Sequence, residues 1–534
     1  MCAIIGTVNH ELNRLCLSKL YSRGPDYNSL YKNKNVSFAH ARLSVIDAEG
    51  GNQPMHSMSG NSTIIFNGEI YNARELDASH KSDTRVLLEY YEKHGIEKTL
   101  QDINGMFSFA ILDKEQNKIF IARDRLGVKP LFYYNKNNKL IFCSEINPIK
   151  DEVGISNLSI NSTALGVYFR LFFIPSPITI WNEIQSLKQG SYLTYDLKSN
   201  QLQQKTYWKL SQPERSETNI NRLEELIENA STIRTRSDVP YSVFLSGGID
   251  STLITKYLST FNQNLQTYTV EVQDPNLNEA EYSSIVATKF KTKHSSIKLK
   301  YKNILINHLR EMTTHFGQPF ADLSIIPYDL ISKQIGSRSI VALGGDGADE
   351  SFCGYDRYNN PTGTVEDLYR NKQFNLIPSE DPRDFMLNNL PYIPTDKSEL
   401  LRILDISYFL EGDILQKVDR LSMRHSLEVR SPLLDYRIVE FSNTLDYNLM
   451  FKMRKKEALR RLLEKDFSKD FIDRKKIGLT LTPENLKATV DSYLDQYSFS
   501  HSLVCPNWLK KVASNYYLKF AMLMFVLWHE ENYV

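Results

Sequence analysis

The sequence has almost no net charge: 64 Lys+Arg against 63 Asp+Glu leave +1 over 534 residues. That balance excludes a chain built to wrap nucleic acid or coat a membrane surface, both of which carry a basic excess. Anionic small ligands stay open, because one phosphate site needs only local donors. Cysteine is scarce as well. Cys2, Cys16, Cys143, Cys353 and Cys505 are scattered without metal-ligand spacing, so no disulfide framework is expected, only the reduced thiols of a cytoplasmic protein. Long apolar runs are missing. The most hydrophobic stretch, 520–528, is far short of the ~20 residues of a membrane span and reads as a buried helix near the C-terminus. The N-terminus has no basic segment followed by an apolar one, so no secretory leader is expected.

What is present divides in two. Up to about residue 205, short β-branched or aromatic runs (3–8, 37–41, 62–66, 107–112, 118–122, 131–134 and 139–143) are punctuated by Asn67-Gly68, Asn104-Gly105 and Lys136-Asn137-Asn138. A helix is predicted over 84–94. This pattern predicts a layered α+β domain, residues 1–207, with antiparallel sheets. A polar linker covers 208–220. From 221 to 534 strands (241–245, 267–272, 339–343) alternate with helices (221–236, 251–260, 279–290), which predicts a parallel sheet covered on both faces. After about 399 the pattern is almost all helical.

Three places carry chemistry. Cys2 becomes the first residue once the initiator Met is removed, and a terminal cysteine has its own base in the α-amine, whose pKa is about 7.7–8. Asn67-Gly68 follows the apolar strand and reads either as a hairpin turn, the likelier reading on spacing alone, or as paired donors for an oxyanion. Leu245-Ser246-Gly247-Gly248-Ile249-Asp250-Ser251 joins a strand to a helix, where glycines and a helix N-terminus suit a phosphate. It fits neither the Walker nor the dinucleotide spacing. A second turn, Gly344-Gly345-Asp346-Gly347-Ala348-Asp349, follows another apolar strand, so both turns are expected at one ligand, with Asp250 and Asp349 as Mg²⁺ ligands.

The ordered strings Met1–Gly6, Arg23-Gly24-Pro25-Asp26, His40–Ser44, Gln53-Pro54, Phe66–Asn72, Ser82-Asp83 and Arg123–Gly127 resemble class II glutamine amidotransferase domains, of N-terminal nucleophile hydrolase-like fold. Ser246–Ser251 resembles the PP-loop of ATP pyrophosphatases. With Asp419–Met423 and His425–Asp435, the whole chain is similar to the glutamine-dependent asparagine synthetase family. The resemblance implies that Cys2 forms a thioester with glutamine while Asn67 and Gly68 hold the oxyanion. Arg42, Ile46, Glu69 and Asp83 would complete the glutamine pocket. Leu245, Ser246, Gly247, Gly248, Asp250, Ser251, Val270, Gly344, Gly345 and Lys476 would bind ATP. Asp346 would handle the ammonia proton, and ammonia would cross an internal tunnel. The implied partners are glutamine, ATP, Mg²⁺, aspartate as acceptor and a second copy of the chain.

Two departures bear on the acceptor. The family pattern has glutamate where Asp346 stands, and an arginine near Leu323 that is implicated in holding aspartate. A bidentate carboxylate partner is thereby missing unless another cation substitutes. The same machinery acting on another carboxylate, such as a sugar uronic acid or a peptide, is the alternative. Three further readings fit less of the sequence. A β-lactam-forming enzyme often lacks the nucleophile, a phosphoribosyl transferase would lack Ser246–Ser251, and a scaffold would have lost some of these side chains.

Overall fold

The computed structural model describes residues 2–13, 15–271, 279–298, 306–359, 361, 382–474, 483–496 and 515–533. Two six-stranded antiparallel sheets form the first half. One runs Ile184–Ser186, Phe132–Lys136, Lys139–Cys143, Ala3–Val8, Val36–Arg42 and Tyr27–Asn33 in spatial order. The other runs Gln201–Thr206, Ser191–Asp196, Lys118–Arg123, Gly105–Asp113, Ser62–Ile70 and Met55–His56. Alternate residues of both sheets meet in one core, among them Ile4, Phe38, Phe142, Ile65, Ile121 and Leu193. This is the layering expected of strands whose inner faces are apolar. Asn137 and Asn138, at φ 54° and 59°, make the tight hairpin that the Asn pair predicts.

The predicted helix over 84–94 is longer in the structure, Asp83–Asp102, capped by the Ser82 hydroxyl and interrupted at Gly95, whose φ is 75°. One expectation is corrected. Asn67-Gly68 is no hairpin turn: the strand continues from Ser62 to Ile70 and pairs Asn67 with Ser108 and Gly68 with Phe107. The pairing is possible because a Cβ on Gly68 would lie 2.0 Å from the Met106 carbonyl oxygen, so only glycine allows the strands to approach there.

In the second half a five-stranded parallel sheet runs Lys293–Lys298, Gln266–Glu271, Tyr241–Phe244, Val341–Leu343 and Glu428–Arg430. The last strand is the exception, among the described residues, to the almost all-helical pattern expected beyond about 399. Its three residues are fully buried and pair with Val341–Leu343. The 520–528 stretch lies in a buried helix, Tyr516–Tyr533, as expected. That helix packs on Ser162–Leu171 of the first half: Tyr168 donates to the Ala521 carbonyl at 2.7 Å and Phe169 meets Phe525 edge-on. Among the described residues, no helix is long and apolar enough to cross a membrane, and the four described cysteines are unpaired.

Candidate active sites

Cys2 opens the Ala3–Val8 strand at the heart of the first sheet and is 9% exposed. Its N–H donates to Asn67 Oδ1 at 3.1 Å, so the two sheets meet at this residue. The other end of that carboxamide, Asn67 Nδ2, is buried with no partner. A buried donor without an acceptor costs about 1–3 kcal/mol, which a ligand oxygen would recover. Gly68 adds a second donor. Tyr71 N–H bonds the Asn104 carbonyl, and by antiparallel alternation the Phe66, Gly68 and Ile70 amides point away from the neighbouring strand. Phe66 N–H is taken by Gln53 Oε1 at 2.6 Å and Ile70 N–H by Asp83 Oδ2 at 2.9 Å. The Gly68 amide between them is directed the same way, beside the Asn67 carboxamide. Two such donors on one side of a strand suit a tetrahedral oxyanion.

The surroundings are buried and charged. Burial pushes the Cys2 thiol pKa up, so the resting sulfur is a thiol and needs a base. His40, one strand over, is buried, bonds the Phe66 carbonyl and is held neutral, its pKa pushed down to about 3 by burial. Asp83 accepts from the Ile70 and Thr84 amides, although burial raises its pKa. Arg42 is only 4% exposed, and its guanidinium gathers the carbonyls of Ile46, Asp47 and Ala48 and the Asn52 side chain. It therefore shapes the 46–52 loop, and its Nη donors are occupied. Ile46 opens onto a cleft of about 400 Å³ that also includes Tyr71 and Arg236.

The second site forms at the carboxyl edge of the parallel sheet, where ligands of such sheets bind. Leu245–Gly248 leaves the Tyr241–Phe244 strand and enters the helix Ile249–Ser259. Gly247 has φ 76°, and a Cβ there would lie 2.7 Å from Tyr282 backbone. Ser246 and Ser251 cross-brace the turn through their hydroxyls at 3.2 Å. A Cβ on Gly345 would fall 2.8 Å from the Asp250 Cβ, so the two glycine turns are in contact. Leu245 is buried behind the loop, and Val270 sits on the adjacent Gln266–Glu271 strand, packed against a separate core beside it.

The structure identifies a residue that sequence reading missed. Lys456 is buried, in a left-handed conformation (φ 56°), with Nζ 2.6 Å from Asp250 Oδ2 and 2.7 Å from Asp349 Oδ1. Asp250 Oδ1 remains buried without a partner. One ammonium thus holds together the two carboxylates assigned to a metal, and an orphaned oxygen stays available. Hard carboxylate oxygens beside a phosphate-binding turn fit Mg²⁺, which is held by one or two carboxylates plus phosphate oxygens. Lys476 lies outside the described residues.

Asp346 is half-buried, accepts from Ser431 Oγ at 3.1 Å and has its pKa raised by desolvation. The missing arginine near Leu323 has a local counterpart: Lys417 pairs with Asp322, the residue before Leu323, and lies 3.9 Å from Asp413. Its charge also acts on Asp346.

Between the sites, several residues of the quoted strings form an ionic seam. Arg23 donates to the Cys2 carbonyl at 3.2 Å and to Glu145 and Asp419 at 2.9 and 2.7 Å, and Lys129 meets Asp419 at 3.0 Å. Arg430, on the last parallel strand, reaches Glu69 at 3.2 Å and Glu428 at 2.6 Å. Arg234 and Asn104 converge on Asp435 at 2.8 and 2.9 Å.

Comparison with known proteins matches this division. Residues 1–208 match the glutamine amidotransferase domain family and residues 222–504 the asparagine synthase family. The chain is 28% identical to asparagine synthetase [glutamine-hydrolyzing] 1 of Bacillus subtilis strain 168, over 100% of this chain and 97% of that protein. Asparagine synthetase [glutamine-hydrolyzing] 3 of the same organism is 30% identical, over 89% and 86%. Asparagine synthetase B [glutamine-hydrolyzing] of Escherichia coli K12 is 28% identical, over 66% and 65%. These matches, over a chain with antiparallel sheets in one half and glycine turns on a parallel sheet in the other, place it in the glutamine-dependent, ATP-using asparagine synthase family.

Proposed function

We propose that the enzyme converts L-aspartate, L-glutamine, ATP and water into L-asparagine, L-glutamate, AMP and pyrophosphate. In the first site, with Met1 removed, the Cys2 α-amine takes the thiol proton and sulfur attacks the glutamine amide carbon. The oxyanion is held by Asn67 Nδ2 and the Gly68 amide. Ammonia leaves, and water hydrolyses the thioester to glutamate. Glu69 and Asp83 suit the substrate's ammonium, while Arg42 and Ile46 form the wall opposite.

In the second site the aspartate side-chain carboxylate attacks the ATP α-phosphorus, and pyrophosphate leaves. Ser246, Gly247, Gly248 and Ser251 suit the departing pyrophosphate, with Lys456 beside them. Mg²⁺, held by Asp250 and Asp349, would supply charge neutralisation on the phosphates. Ammonia then displaces AMP from the acyl-adenylate, with Asp346 placed to accept its proton. Lys417 is the cation available to an acceptor carboxylate.

One observation carries the reading: the orphaned Asn67 Nδ2 at a cysteine nucleophile, in a chain whose other half brings two glycine turns and Asp250 together. The decisive assay supplies ATP, Mg²⁺ and ammonia with candidate acids and follows pyrophosphate. Turnover with aspartate is expected; silence with aspartate and turnover with a uronic acid or peptide carboxylate would replace the acceptor.

A further inference from the structure

A cavity of about 460 Å³ opens where the segment after the first domain crosses to the second. Its wall comes from the first domain (Arg125, Leu126, Ser176, Lys188 and Gln189), from Thr206–Leu210 of the connecting segment, and from helical residues 406–408 with 389–391. None of these belongs to the glutamine or nucleotide site. Its volume suits one small ring-bearing molecule.

The charge on the wall is of one sign. Arg125, Lys188 and Lys209 line the cavity, and no Asp or Glu does among the described residues. Two carboxylates that bond residues at the wall or its edge are already committed. Glu411 pairs with Arg123 at 2.8 Å and accepts from the Ser176 amide, while Glu440 accepts from the Trp208 indole N–H at 2.7 Å. Lys188 is half-buried and its ammonium has one hydrogen bond, to the neutral Asn389 carbonyl at 3.1 Å. Burial accordingly lowers its pKa. Arg125 donates only to the carbonyls of Leu100, Gln101 and Ile103, and its Nε is buried without a partner. Arg125 also lies over the Tyr436 ring at 4.1 Å and the Tyr207 ring at 5.7 Å. Neither cation meets a carboxylate, and an anion would offset the desolvation cost of both.

The rest of the wall mixes the neutral polar side chains Ser176, Gln189, Thr206, Asn389 and Ser407 with an aromatic and aliphatic part. Tyr207, Trp208 and Tyr408 are joined by Leu126, Leu390 and Ile406. We propose that this cavity is a second ligand site, which takes a small anion carrying a planar apolar ring. The anionic group meets Lys188 and the ring lies among the aromatic side chains. Such a ligand would touch both halves of the chain and the segment between them at once.

The test is calorimetric titration of the full-length Cys2→Ala enzyme, with glutamine and ATP saturating and no acceptor, so that both other sites are filled. Indole-3-carboxylate is the probe and neutral indole-3-carboxamide its matched control. One equivalent of the carboxylate is expected to bind, about tenfold tighter than the amide, as one charge-assisted contact warrants. Added Lys188→Gln should weaken the carboxylate about tenfold, and Lys188→Arg should hold it within about threefold. Trp208→Leu, should Lys188→Gln fold poorly, tests the ring contact by the same titration and should weaken both probes together. Equal binding of acid and amide, no saturable binding, or affinity untouched by a folded Lys188→Gln or Trp208→Leu variant would overturn the proposal.

Discussion

The two sites store their readiness in opposite ways. The glutamine site is short of acceptors: Asn67 Nδ2 has no partner, and the Gly68 amide points to the same side of its strand. The nucleotide site holds an excess of carboxylate, with Asp250 and Asp349 drawn together by Lys456. The first arrangement awaits a developing negative charge. The second awaits added positive charge, or a phosphate chain that draws the lysine toward itself. Preorganised donors need no rearrangement when the substrate arrives, whereas an ion-paired lysine must exchange partners.

Cys2→Ala should break the comparison most completely. Glutamine-dependent synthesis is expected to vanish while ammonia-dependent synthesis persists; parallel loss of both in a pyrophosphate assay would refute two separable sites. Lys456→Met should leave glutaminase turnover intact and reduce pyrophosphate formation by about a thousandfold, within the range of lost transition-state charge stabilisation. Glutamate release measured beside pyrophosphate distinguishes this from misfolding. Asn67→Ala should lower glutamine hydrolysis about 10²–10³-fold with little change in glutamine KM, because the lost contact belongs to the oxyanion. A KM effect alone would move Asn67 from catalysis to binding.

The seam sharpens the comparison through stability instead of rate. The Asp419 carboxyl is buried, yet Arg23 and Lys129 hold its pKa down to about 2, against 3.8 ordinarily. A depressed carboxylate stabilises the fold fully above the unfolded pKa and loses that contribution as pH falls from about 4 to about 2, about 2 kcal/mol in order of magnitude. Asp419→Asn should flatten stability against pH in that window. At neutral pH it should also cost about 3–5 kcal/mol, since two buried cations lose their partner. Denaturant melts across the acid range measure both.

The parts of these sites that sequence made legible are contiguous: a cysteine at position two, a Ser-Gly-Gly turn, a Gly-Gly-Asp turn. Spacing alone favoured a hairpin at Asn67-Gly68, because Asn-Gly is the strongest local turn signal. Tertiary pairing with Ser108 and Phe107 prevailed. Lys456 was hidden in the run Lys452-Met453-Arg454-Lys455-Lys456, which reads as a solvated basic cluster; only the fold singles out the lysine that turns inward. Glu428–Arg430 is too short to show a strand's alternation, and its burial on every residue comes from its neighbours in the sheet. The strings Asp419–Met423 and His425–Asp435 belong to the synthase half, and their Asp419, Arg430 and Asp435 also fasten the two halves together.

The helix Tyr516–Tyr533 gives the chain an order of assembly. Tyr168 and Phe169, in the first third of the sequence, are covered by Ala521 and Phe525, which emerge from the ribosome hundreds of residues later. A nascent chain therefore leaves that face of its first half uncovered until the Tyr516–Tyr533 helix has been made. The half that would liberate ammonia is sealed only when the half that would consume it has been made.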